Sequence, residues 1–311
     1  MPVIVPGDGG GPAPTPDEPR YATSELIEET LQELSGHTTD VGQVTYLGES
    51  ISESTTTFRV AEQGQVSRGV AEIGTELVYV ATAVDGTVTL LPTGRGWGSS
   101  RPSAWAEGTL VTFQPRFPRH TILQRINDVI GNLWPSLYGL GQTEFAFQPV
   151  VQAFSMPADT EDVTNVLYDE VGPQKAWVPI TQWRFNRNAA PSEFPTGRSI
   201  ILPPHLTPGR TVRVRYMKRP SQIQSEGEFT DSGLEISAWP AVMYGALHRM
   251  VASLPLGTAG VQSAEAREWS RTRPIDINQL AEYFRGLHEL EVEKERRRLQ
   301  DANPITINYT R

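Results

Sequence analysis

Apolar residues fall at helical spacing in four stretches of this chain and alternate at strand spacing between them. Leu26, Ile27, Leu31 and Leu34 make the first helical stripe. Thr23 or Ser24 can cap it, Glu25, Glu28 and Glu29 favour its dipole, and Gly36 ends it. The clearest stripe is Ile122, Ile126, Val129, Ile130, Leu133 and Leu137, with Pro118 just ahead and Trp134-Pro135 to bend or end it. A third helix is expected from about Ile236 to Leu254, where Trp239, Val242, Met243, Ala246, Leu247, Met250 and Leu254 form a broad apolar face. The fourth, from Asp276 to about Asp301, carries Leu280, Phe284, Leu287 and Leu290. It then turns strongly charged through Glu291, Glu293, Glu295, Arg296, Arg297 and Arg298.

The period changes to two between Val41 and Phe113. Thr55–Val60, Glu76–Val84, Thr87–Leu91 and Thr109–Gln114 read as strands, and Asp85-Gly86 joins two of them as a hairpin turn. A second β region spans about Glu144 to Met217, with alternation in Trp177–Ile180, Ser199–Leu202 and best in Thr211–Tyr216.

This order predicts an α+β fold: a helical bundle of about four helices with two inserted β domains and extended N- and C-terminal arms. The boundaries are an arm over 1–19, a bundle from 20–40, 116–140 and 234–303, β domains over 41–115 and 141–233, and a C-terminal arm over 304–311. The first arm is rich in Gly and Pro and cannot bury enough apolar surface to fold alone. The last begins at helix-breaking Pro304 and then alternates, with Ile305, Ile307 and Tyr309 on one side and Thr306, Asn308 and Thr310 on the other. A lone short strand is unstable in water, so this one is expected to complete an edge elsewhere, on another subunit or another protein.

Composition changes this picture by exclusion. The chain has 311 residues, and no apolar run approaches a membrane span. Met1–Pro6 lacks a basic start and a long apolar stretch, so synthesis and use in a cytoplasm are expected. With no cysteine there is no disulfide, thiolate metal site or Cys nucleophile. A net charge of −9 argues against a nucleic-acid clamp and allows a surface that nucleic acid passes without adhering. The only lysines are Lys175, Lys218 and Lys294, a composition that suits a GC-rich coding genome.

Candidate chemistry is sparse. Gly94-Arg95-Gly96-Trp97-Gly98 lacks the Gly-Lys-Ser/Thr ending of a phosphate loop and leads to a strand rather than a helix. His37, His120, His205, His248 and His288 are scattered, although His248 and His288 sit on successive helices that could face each other. No Gly-x-Ser-x-Gly elbow occurs. The acids of Asp159–Asp162 and Asp169-Glu170 fit solvated loops better than a glycosidase pair. Trp97, Trp105, Trp177 and Trp183 fit an interface or core better than a sugar platform. Arg296, Arg297 and Arg298 either line a solvated helix face or meet acids on a neighbouring subunit. No catalytic residue, metal site or cofactor is assigned.

Four stretches resemble the head-to-tail connector (adaptor) proteins of tailed bacteriophages, in particular those of actinophage necks. They are Gly94–Ser100 through Trp105–Thr109, with Trp105 at the position of a family His; Pro115–Arg119 with Ile122–Asp128; Trp239-Pro240-Ala241-Val242; and the Arg-rich last helix with its tail. The resemblance implies a structural virion protein of the neck, made in the bacterial host cytoplasm. It implies a ring of about twelve copies beneath the portal, with stopper or tail proteins below and DNA passing through the lumen. It assigns portal contact to the arm residues Ile305, Ile307, Tyr309 and Arg311, and leaves Arg296, Arg297, Arg298, Trp97 and Trp105 as inter-subunit candidates. The competing expectations are a tail terminator, a tail-tip or receptor-binding protein that grips glycans, and a carboxylate-pair hydrolase.

Overall fold

The computed structural model describes residues 21–36, 43–62, 66–151, 153–169, 177–253 and 277–303. Their first unit is a six-stranded antiparallel sheet: β1 (Gln43–Tyr46), β2 (Thr57–Arg59), β3 (Gly69–Ile73), β4 (Glu76–Val84), β5 (Thr87–Leu90) and β6 (Leu110–Phe113). The strand order is β1-β6-β3-β4-β5-β2. The two edge strands meet at one end, where Leu47 bridges Val60 and the Gly48 N–H donates to the Arg59 carbonyl at 2.8 Å. The sheet is thereby curled into a half-barrel around Phe58, Ile73, Val78, Val80, Val111 and Phe113. Asp85 and Gly86 both have positive φ at the β4–β5 turn, the geometry that matches the twist of a two-residue hairpin.

The second β unit pairs two small sheets. β7 (Gly139–Ala146), β9 (Asp162–Asp169), β10 (Trp177–Pro179) and β13 (Thr211–Lys218) form one in the order β10-β9-β13-β7. β8 (Ala153–Ser155), β11 (Arg184–Asn186) and β12 (Ser199–Ile201) form the other. Phe154 and Ile200 from the smaller sheet share a core with Val166, Val212 and Val214 from the larger.

Four helices make the remaining layer: α1 (Thr23–Gly36), α2 (Arg119–Asn132), α3 (Trp239–Ala252) and α4 (Ile277–Ala302). Leu26, Ile122, Ile126, Ile130, Val242, Leu247 and Phe284 lie buried together among them. Pro240 sits in the first turn of α3, where its missing N–H costs nothing. Gly245 lets α3 approach its neighbours: a β-carbon there would stand 2.8 Å from Val129 Cγ1 and 2.9 Å from His288 Nδ1.

The expected helical bundle with inserted β domains is therefore corrected. Among the described residues thirteen strands form three sheets, one of them a half-barrel, against only four helices. The physical reason is that two of the three apolar cores lie within the sheets. A half-barrel and a two-sheet unit bury their own faces and do not depend on a bundle for a core.

Candidate functional site

Three polar constructions hold these layers in place. Arg119, the first residue of α2, donates from its backbone N–H to Glu72 Oε1 and from Nη1 to Glu72 Oε2 at 3.0 Å. Its Nε donates to Glu28 on α1. Glu72 lies on β3, so a buried carboxylate of the half-barrel caps the free N-terminus of a helix. Burial pushes Glu72 from 4.5 up to about 7, and Arg119 pulls only partly the other way. Burial also opposes the charge on Arg119, but its bonds to Glu28 and Glu72 outweigh this and raise it.

The Gly94–Gly98 loop is the second construction. Its Arg95 turns inward and donates from Nε and Nη2 to the two oxygens of Glu76, at 2.7 and 2.8 Å. Arg95 also reaches the carbonyls of Thr55 and Ser103. Glu76 further accepts from the Gly96 and Ser103 N–H groups and, at 2.9 Å, from Trp105 Nε1. Burial alone would raise this carboxylate, but the bonds from Arg95, Trp105, Gly96 and Ser103 prevail and hold it below its ordinary value. Gly94 is required by the close approach, since a β-carbon would stand 2.7 Å from the Tyr79 carbonyl.

The third joins α3 to α4. His248 Nδ1 on α3 lies 3.0 Å from the Ala281 carbonyl on α4, and His288 Nδ1 on α4 lies 2.7 Å from the Ala241 carbonyl on α3. A carbonyl only accepts, so each imidazole carries its proton on Nδ1 and donates. The two histidines thus clasp the same helix pair reciprocally.

The surface left by these constructions is where partners can act. On α4, Ala281, Phe284 and Leu299 face the core, while Tyr283 is 58% and Leu290 61% exposed. These two stand seven residues apart, hence on one face, with open space over Gly286 between them. Of the four apolar residues that the sequence places on this helix, Phe284 is buried and Leu280 and Leu287 pack against the core, whereas Leu290 points outward.

Beside this face, α1, the start of α3 and α4 enclose a groove of about 600 Å³. Tyr21, Ile236, Trp239 and Pro240 form its apolar lining, with four acids, Glu25, Glu29, Glu291 and Glu295, and two cations, Lys294 and Arg298, around them. Trp239 Nε1 donates to Glu29 at 2.7 Å, and Ser237 donates to the buried Glu295 at 2.9 Å. An apolar floor with a net negative rim suits a peptide segment that presents an apolar anchor beside a cation.

The arginines expected to contact a neighbour are occupied within the chain. Arg296 and Arg297 both pair with Glu293, at 2.7 and 2.8 Å. Arg298 bridges Glu295 and Glu235, and the bond to Glu295 first, then that to Glu235, raises its pKa. Trp97 is 39% exposed and packs against Tyr79 with ring centroids 4.7 Å apart. Trp105 packs on the half-barrel core. Trp177 is covered by the Arg213 guanidinium at 3.8 Å, and Trp183 packs on the core of the two-sheet unit. These four tryptophans do not form one platform. Ile305, Ile307, Tyr309 and Arg311 lie outside the described residues.

Sequence reasoning missed Glu72, Glu76 and Arg119. An acid inside a β-branched strand was the available signal for the first two, because a buried carboxylate requires a partner. Among the described residues no group of three or more His, Asp or Glu side chains is placed to hold a metal ion, and no helix is long and apolar enough to cross a membrane. No protein-family model matches the chain, and no curated protein matches its sequence.

Proposed function

We propose that this chain is a structural protein that assembles into a ring as the head-to-tail connector of a tailed bacteriophage, joining portal to tail. The observation that carries the assembly part is the outward apolar pair on α4, Tyr283 and Leu290, on a helix whose exposed Glu282, Arg285, Glu289, Lys294, Arg296 and Arg297 are ion-paired. Two large apolar side chains aligned on an exposed helix face gain most by meeting a partner helix. The four resembling stretches supply the phage part of the reading.

The charge fits this role. At −9 per chain, a closed ring surrounds its lumen with negative field, which lets DNA pass without adhering. The buried ion pairs of Arg95 and Arg119 hold the sheets and helices of each copy in place.

Light scattering on the purified chain tests the assembly step. The wild type is expected to form a defined oligomer, and Tyr283→Glu with Leu290→Glu to run as a folded monomer. A double variant with the wild-type mass overturns the role of this face; a wild type that stays monomeric at high concentration overturns the ring.

A further inference from the structure

The groove between α1, α3 and α4 carries its charge unevenly. On the α4 wall each acid is matched, Glu291 by Lys294 at 3.0 Å and Glu295 by Arg298 at 2.7 Å. On the α1 wall no cation answers. Among the described residues the Glu25 side chain has no partner, and Glu29 receives only the neutral N–H of Trp239. The two stand four residues apart, both exposed on one side of α1, so two uncompensated charges border the aromatic floor. The field reaches Tyr244, whose hydroxyl is raised first by burial and then by Glu33, Tyr283, Glu291 and Glu29.

The floor is firm. Trp239 packs edge-on against Tyr21 at 6.4 Å and against Phe229 at 5.4 Å. The groove also runs up to the outward face of α4, because Lys294 on its wall lies one turn beyond exposed Leu290.

A surface that fits this groove offers an apolar side chain beside a cation that is not already taken. Across the strand pairs of the described residues, an unpaired exposed cation faces an exposed large apolar side chain once. Arg184 on β11 stands directly opposite Ile201 on β12. Ile201 is 39% exposed, and its neighbour on the other side, Ala153 of β8, is too small to cover it. Arg184 is exposed, and among the described residues its guanidinium has no hydrogen bond or ion pair. The spacing agrees as well. Directly opposed side chains start about 5 Å apart, and in the groove Glu29 touches the Trp239 ring at its Nε1.

We propose that the groove receives Ile201 and Arg184 of a second copy, Ile201 on Trp239 and Pro240 and Arg184 between Glu25 and Glu29. A guanidinium suits this place because it stacks on an aromatic ring and bonds carboxylates at its edge. The contact is head-to-tail, since patch and groove are different surfaces, and such a contact closes into a ring by rotation. It rests on the reading that copies assemble, and it names what the next copy brings beside the α4 face.

Charge exchange tests the pairing, read by light scattering over a range of protein concentrations. Arg184→Glu and Glu25→Arg are both at exposed positions and are expected to stay folded by circular dichroism. Each is expected to need about tenfold more protein than the wild type to associate. Arg184→Glu and Glu25→Arg together in one chain are expected to restore association, because the exchanged charges attract again. Ile201→Gln weakens association as the single charge variants do, whereas Val84→Gln, at an exposed position on the half-barrel, leaves it unchanged. Single variants that associate like the wild type, or a combined variant that associates no better than either, overturn the proposal and leave the ring standing. A wild type that stays monomeric at high concentration instead overturns the reading beneath it.

Discussion

Arg119 holds Glu72 with two separate groups, its backbone N–H on one carboxylate oxygen and its Nη1 on the other at 3.0 Å. Because Arg119 opens α2 and Glu72 belongs to β3, one residue pair sets where the helices meet the half-barrel. Its pH dependence has a definite sign. Burial raises Glu72 from 4.5 to about 7, so the folded chain keeps a proton that the unfolded chain releases. The stability from this group is complete below pH 4.5 and is lost as the pH rises through about 7. The full span is about 3 kcal/mol. Denaturant midpoints of wild type and Glu72→Gln across this window should show the wild-type advantage shrinking as pH rises. An advantage that grows with pH would mean that attraction to Arg119 outweighs burial.

Glu76 behaves in the opposite sense, because its hydrogen bonds hold it below the ordinary carboxylate value. Replacing Arg95 with Ala leaves that carboxylate buried without its bidentate partner, and a loss of about 3–5 kcal/mol is expected. Arg95→Lys should recover only part of it, since an ammonium cannot form the forked contact. Chemical denaturation of both variants checks this. Equal stability of Arg95→Ala and wild type would remove the loop from the account of the half-barrel.

Trp105→Phe removes the Nε1 donor to Glu76 together with part of the indole that packs on the half-barrel core. A hydrogen bond to a charged acceptor contributes about 1.5–3 kcal/mol, so a loss at least this large is expected by urea unfolding.

Gly245→Ala tests the contact between α3 and α4. The added methyl meets Val129 and the His288 ring within 3.0 Å, so either the helices separate or the bond from His288 to Ala241 lengthens. A cost of about 1–3 kcal/mol follows from overpacking, despite the higher helix propensity of Ala. Thermal unfolding measures it, and a rise in melting temperature would show the contact to be slack.

Much of the helical layer was legible in the sequence, because its signals are local. The stripe from Ile122 to Ile130 and the stop before Trp134-Pro135 predicted α2, which ends at Asn132. The Asp85-Gly86 turn predicted the β4–β5 hairpin. The weight of the β architecture was not legible, because it rests on distant pairings. β1 finds β6 across more than sixty residues, and β9 hides between Asp162 and Asp169, acids read as loop. Candidate surface residues failed for a related reason. Spacing flagged the Arg296–Arg298 run as a contact, but whether a charge is already paired depends on Glu235, far away in sequence. Spacing likewise places Leu290 on α4 beside Leu287, but which of the two is exposed depends on where α3 packs.

Electron microscopy of the purified assembly, with class averages read for rotational symmetry, tests the central claim most directly. A closed ring of about twelve copies is predicted, with α4 at the contact between neighbours. Isolated monomers or three-fold particles would contradict the connector reading.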